Sequence, residues 1–197
     1  MNENFVYRYG NSLYINLTNK CSNACEFCIR KNGDGIGDSG DLWLSREPSA
    51  QEVIERIETF EDYDEIVFCG YGEPTYKMDE LVAVGKYAKE KGAKTRLNTN
   101  GQGSLINGED IAVKLKGVID TVSVSLNSNT AEGYDEICHS EFGVKGFYAM
   151  LDFTRSCVRN DIHTVMSVVA VDGVDVDECR ILARSIGVEL RVREYIE

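Results

Sequence analysis

Histidine is scarce in this chain, with two in 197 residues, so most zinc-enzyme and histidine-dependent triad schemes lack raw material. Basic residues are short too. Twenty-one Lys and Arg stand against 33 Asp and Glu, and the formal charge of −12 repels phosphate backbones and anionic lipid. A general nucleic-acid binder is thereby disfavoured. No apolar run is long enough to span a bilayer and no signal peptide is visible, which points to the reducing cytoplasm and away from membranes. No internal repeat or low-complexity linker divides the sequence, and its length and 43% apolar content suit one domain over residues 1–197. Against these shortages stand seven cysteines, an odd count that fits a disulfide scaffold poorly and makes metal binding or catalysis the first use to test.

Apolar and polar residues alternate from Leu13 to Thr18 with the period of a strand. Ser49 and Glu52 then form a capping box ahead of a helical stripe of Val53, Ile54, Ile57 and Phe60. Further strands are predicted at 65–69, 94–98, 120–126, 162–171 and 188–195. Helices are predicted at 79–91, 109–116 and 130–138, along the face shared by Phe147, Met150, Leu151, Thr154, Cys157 and Val158, and at 176–186. Alternating strands and helices imply right-handed crossovers and a parallel α/β sheet, either an incompletely closed barrel or an open doubly wound sheet. In both, ligands sit beyond the C-terminal strand ends. The Gly/Asp-rich stretch 32–41 lacks the order of a calcium loop and reads as a lid or a solvated loop.

Cys21, Cys25 and Cys28 stand as C-x3-C-x2-C directly after the first predicted strand. Seven cysteines at random would produce this spacing roughly 0.01 times in a chain of this length. Three thiolates on one short loop can hold a cubane iron-sulfur cluster and leave one iron open to another ligand. The competing readings are a structural zinc site completed from afar, or thiols that merely fall close together. Cys69, Cys138, Cys157 and Cys179 lie singly on predicted elements and read as core thiols, with Cys69, at a strand end, the one to watch.

The C-x3-C-x-F-C loop resembles that of the radical S-adenosylmethionine (SAM) superfamily. The resemblance implies a partial (β/α)6 TIM-like barrel, a [4Fe-4S] cluster on Cys21, Cys25 and Cys28, and SAM on the open iron with its adenine near Phe27. Gly70-Tyr71-Gly72-Glu73-Pro74 is similar to the superfamily's GGEP loop, which meets the SAM amino group, with Tyr71 replacing a glycine. Thr99, before Asn100-Gly101, matches the hydroxyl near the SAM carboxylate. Ser125 matches the polar contact to the ribose, with Asn127 one step nearer the mouth. Face alternation places Asn16, Thr18, Arg191 and Arg193 inward, opposite Leu13, Ile15, Leu17, Val188, Leu190 and Val192. Arg193 is expected to pair with the SAM carboxylate or with a carboxylate or phosphate on the substrate. Val168, Val169 and Val171 read as core, although the resemblance implies apolar backbone flanking the adenine here, and His139 and His163 carry no assigned role.

The activity implied is reductive cleavage of SAM to a 5'-deoxyadenosyl radical that abstracts hydrogen from a small polar substrate. An activating enzyme for a glycyl-radical partner and a non-enzymatic metal-binding protein are the alternatives. A flavodoxin or ferredoxin would supply the electron. Leu42-Trp43-Leu44, Glu47-Pro48-Ser49, Ser125-Leu126-Asn127 and the segment Arg191 to Tyr195 further resemble a small group found beside TatD-type hydrolases.

Overall fold

The computed structural model describes residues 3–31, 35–36, 39–60 and 62–194. Seven strands form one sheet in sequence order: β1 (Val6–Tyr9), β2 (Ser12–Ile15), β3 (Glu65–Phe68), β4 (Thr95–Thr99), β5 (Thr121–Ser125), β6 (His163–Val169) and β7 (Glu189–Arg193). From β2 onward every pair is parallel, and the sheet runs from β1 to β7 without closing. This is the expected partial barrel with one strand more. β1 precedes the first predicted strand and pairs antiparallel with β2 across the two-residue loop Gly10-Asn11, where Gly10 takes φ 60°.

The helices are α1 (Ala50–Glu55), α2 (Met78–Glu90), α3 (Gly103–Asn107), α4 (Ala112–Leu115), α5 (Ala131–Cys138), α6 (Val144–Arg159) and α7 (Val176–Ile186). Both halves of the capping box form at α1, and Gly187 closes α7 in the left-handed conformation. The helix predicted at 109–116 is the shorter α4, and α3 was not anticipated. Leu13, Ile15, Ile66, Phe68, Leu97, Val122, Val124, Met166 and Val168 bury the outer sheet face against Leu81, Val84, Leu115, Met150 and Ala183. Each such side chain contributes about 1.5–3 kcal/mol. The same alternation puts Ser123, Ser125 and Ser167 on the inner face beside Tyr14, Val67 and Arg96, and it fails at the edge. On β7, Val192 is 42% exposed and Arg191 is exposed rather than enclosed, because no further strand lies across from them.

Cys138, Cys157 and Cys179 are buried as expected, whereas Cys69 is only partly buried. His139 caps α5 at φ 45°, and His163 opens β6 far from the C-terminal strand ends. Tyr195 and residues 32–34 and 37–38 of the Gly/Asp-rich stretch lie outside the described residues. Among the described residues no helix is long and apolar enough to cross a membrane.

Candidate active site

Beyond Ile15 the chain passes over the C-terminal strand ends and carries the three cysteines. Their loop is anchored by α5. The backbone N–H groups of Ala24 and Glu26 donate to the carbonyls of Cys138 and Ile137 at 2.9 and 3.0 Å, and these last-turn acceptors have no partner within a helix. Buried Asn23 donates to the Tyr134 hydroxyl at 2.9 Å and accepts from Gln102 at 2.9 Å, and Gln102 donates to the same hydroxyl at 2.8 Å. Asn100 donates through Nδ2 to Ser22 Oγ at 2.8 Å. None of these five polar residues was given a role from the sequence. Their partners lie on distant segments, and only the turn propensity of Asn100-Gly101 was visible locally.

The loop after β3 forms the facing wall. A Cβ on Gly70 would lie 2.1 Å from Asn16 Oδ1, and one on Gly72 would lie 2.2 Å from the Thr18 carbonyl oxygen and 2.6 Å from that of Lys20. The Glu73 N–H donates to the Lys20 carbonyl at 2.7 Å. These glycines therefore let two loops touch, which differs from simply making room for a ligand. Tyr71, the departure from the double glycine, turns its ring into a small apolar cluster with Tyr7 and Leu42, edge-on to Trp43 at 5.2 Å.

Glu73 is 3% exposed. Its Oε1 accepts from the Thr75 N–H at 3.1 Å and from the hydroxyls of Thr75 and Thr99 at 2.7 Å each, and Oε2 accepts from the Asn100 N–H at 2.7 Å. Burial raises its carboxyl pKa and these four donors oppose the rise. The carboxylate thus ties the β3 and β4 loops together, and Oε2 keeps one lone pair for a cavity ligand. Pro74 opens a one-turn 3-10 helix, Pro74–Lys77, that Glu73 caps.

Cys21, Cys25, Cys28, Phe27, Gly70, Tyr71, Gly72, Glu73, Thr99, Ser125, Asn127 and Arg193 all line one cavity of about 230 Å³. Of the candidate site residues only Pro74 stands outside it. Asn127 sits at φ 59° with Nδ2 3.6 Å from Cys138 Sγ. Cys69, Asn98, Asn100, Ser167 and Val169 line the same cavity without having been assigned to it. For Ser167 the signal was present: it shares the inner face of β6 with Val169, at the level of Ser125 on β5.

Burial pushes the Cys21 thiol up to about 12, with the Glu73 charge adding to the effect. A hydrogen bond with Cys138, and then burial, pushes Cys25 higher. A cationic centre that takes such thiols as ligands lowers their pKa and favours the thiolates. Among the described residues no three His, Cys, Asp or Glu side chains converge on a point that would hold a single metal ion. Cys21, Cys25 and Cys28 line the same cavity, and a multi-iron cluster takes one thiolate per iron.

The profile of the Radical SAM superfamily matches residues 15–186. This chain belongs to that superfamily. Among curated relatives, the radical SAM chain is 28% identical over 191 residues to the protein named Probable GTP 3',8-cyclase of Methanocaldococcus jannaschii, covering 94% of this chain and 59% of that protein. It is 32% identical over 151 residues to the Fe-coproporphyrin III synthase of Methanosarcina barkeri, covering 75% of this chain and 34% of that protein. Among solved structures, the fold matches SuiB of Streptococcus suis bound to S-adenosylmethionine with a TM-score of 0.71 at 15% identity, covering 96% of this chain and 41% of that one. The radical SAM chain therefore spans well under two thirds of the length of these relatives.

Proposed function

We propose that this protein is a radical SAM enzyme whose Cys21, Cys25 and Cys28 hold a [4Fe-4S] cluster and whose cavity binds SAM. One observation carries the reading: the cysteine loop, the Gly70–Glu73 loop and the ends of β4 to β7 line a single cavity. When bound and reduced, the cluster supplies the electron that cleaves SAM to methionine and a 5'-deoxyadenosyl radical, which takes hydrogen from the substrate. The chain's own part is placement and exclusion of water. The free lone pair of Glu73 Oε2 accepts from the SAM ammonium, while Thr99 and Asn100 hold that carboxylate still. Phe27 and Val169 offer apolar surface for the adenine, and the Ser125 hydroxyl, without a side-chain partner among the described residues, serves the ribose.

The core occupies residues 1–197 as one domain in this reading, acts in the reducing cytoplasm and draws electrons from a low-potential flavodoxin or ferredoxin. Placement beside TatD-type hydrolases rests on sequence motifs alone. The test is anaerobic reconstitution with iron and sulfide, then dithionite and SAM. Methionine and 5'-deoxyadenosine are expected, and both should vanish, along with the cluster absorbance, when any of the three cysteines is replaced by Ala. Well-folded, iron-loaded protein that leaves SAM intact would overturn the reading in favour of a metal-binding protein. Radical formation on an added glycyl-radical partner would move it to an activating enzyme.

A further inference from the structure

The polar lining of the cavity divides into two halves. Toward β2, β3 and β4 the side chains are engaged with one another: Glu73 with Thr75, Thr99 and Asn100, Asn23 with Gln102 and Tyr134, Asn100 with Ser22. Toward β6 and β7, Ser167 and Arg193 make no side-chain hydrogen bond or ion pair among the described residues, although both line the cavity. Ser167 is 2% exposed, so most of its surface is closed off from bulk water.

Arg193 is the one cation lining the cavity among the described residues. Burial pulls its pKa down, the Cys69 thiol works the other way, and the like charges of Arg96 and Arg191 add to the fall. Arg96 cannot share an incoming anion freely, because Glu65 already holds it through two contacts at 2.7 and 3.1 Å. A partly desolvated guanidinium beside other guanidinium groups and without an acid calls for an oxyanion, which its planar fork grips with two parallel bonds. Val169 and Arg193 are paired across β6 and β7, so Ser167, one pleat below Val169 on the same face, is the diagonal neighbour of Arg193 and can add a third donor.

The position separates this group from the cysteine loop. Arg193 ends β7 at one edge of the sheet, whereas the cysteine loop follows β2 near the opposite edge. We infer that Arg193 and Ser167 form an oxyanion subsite for the substrate, which therefore carries a carboxylate or a phosphate, held across the cavity from the cluster cysteines. The identity of the occupant as substrate rests on the radical SAM reading. The subsite itself rests on the cavity.

Cys69 lines the same cavity within the field of Arg193 and serves as a reporter. The cluster-loaded protein is treated anaerobically with iodoacetate or with iodoacetamide, and alkylation of Cys69 is followed by peptide mass spectrometry. In each case the sulfur–carbon bond forms as iodide leaves and the thiol proton passes to solvent. Relative to free cysteine, iodoacetate should be favoured by roughly tenfold or more and should saturate. Arg193→Gln should abolish the preference and Ser167→Ala should weaken it. Protection by inorganic phosphate but not malonate assigns a phosphate, and the reverse a carboxylate. Equal reagent rates, or a preference that survives Arg193→Gln, overturn the subsite. A preference lost on saturation with SAM overturns its assignment to the substrate. Where SAM shields Cys69 from both reagents, calorimetry of malonate and of phosphate on the SAM-loaded protein decides. Binding that Arg193→Gln removes supports the inference, and binding of neither overturns it. A preference that holds in protein unable to cleave SAM refutes the radical reading and leaves the subsite standing.

Discussion

Replacing Gly72 by Ala tests the reason for the glycine in physical terms. The new methyl group would sit 2.2 Å from one backbone oxygen and 2.6 Å from another, both in the segment that leads into Cys21. Neither can swing away as a side chain would, so one loop must retreat by about 1 Å to restore ordinary contact near the 3.5 Å carbon optimum. Overpacking of this kind costs about 1–3 kcal/mol. Retreat also stretches the 2.7 Å bond from the Glu73 N–H to the Lys20 carbonyl, a further loss of about 0.5–1.5 kcal/mol. The sum, about 1.5–4.5 kcal/mol, lowers the melting midpoint of a chain this size by about 3–18 °C. The assay pairs thermal unfolding by circular dichroism with iron content after reconstitution, and both should fall. Gly92→Ala is the control for backbone strain, since Gly92 has positive φ and open space around it. A Gly72→Ala protein that melts within a degree of the parent and loads iron fully would refute the claim that this glycine exists for contact between the loops.

Glu73→Gln keeps an acceptor for the two Thr hydroxyls but sets an amide against the Asn100 N–H, and should cost about 2–4 kcal/mol in urea titration. An unchanged midpoint would show that the four contacts do not bind the two loops together. Tyr134→Phe strips the shared acceptor from Asn23 and Gln102 and should cost about 1–3 kcal/mol, with slower cluster assembly followed by visible absorbance. Assembly at the parental rate would detach this network from the cysteine loop. At Asp120, burial alone raises the carboxyl pKa, but the Lys89 ammonium and the Thr95 N–H outweigh it and hold it below the ordinary value. A depressed folded pKa adds stability above the unfolded value of about 3.9 that is lost as pH falls through the folded one. The deficit of Asp120→Asn at pH 7 should therefore shrink on acidification below about pH 4, and a deficit constant with pH would contradict the assignment.

What could be read from the sequence was whatever repeats at short range. The C-x3-C-x2-C loop, the Ser49–Glu52 box, the Gly187 stop and the alternation along β2 and β5 are local, and all stand where expected. β1 was missed although Gly10-Asn11 between alternating residues is a hairpin signal, and α3, five residues long, is too short to show a period. Asn23, Gln102 and Tyr134 were illegible for another reason: their bonds join residues that are distant in sequence, and such pairing leaves no local trace. Cys69 and Arg191 mark the limit of alternation, which names the face of a strand but not whether that face is covered.

The docking of the cysteine loop on the last turn of α5 has a consequence in time. Ser22, Ala24 and Glu26 find their backbone partners at Glu141, Cys138 and Ile137, more than a hundred residues later. During synthesis the thiols emerge early, yet the surface that shapes their loop does not exist until β5 and α5 have been made. On the proposed reading, cluster insertion is therefore a late event in the life of the chain, and iron content should report completed tertiary folding rather than the mere presence of three cysteines.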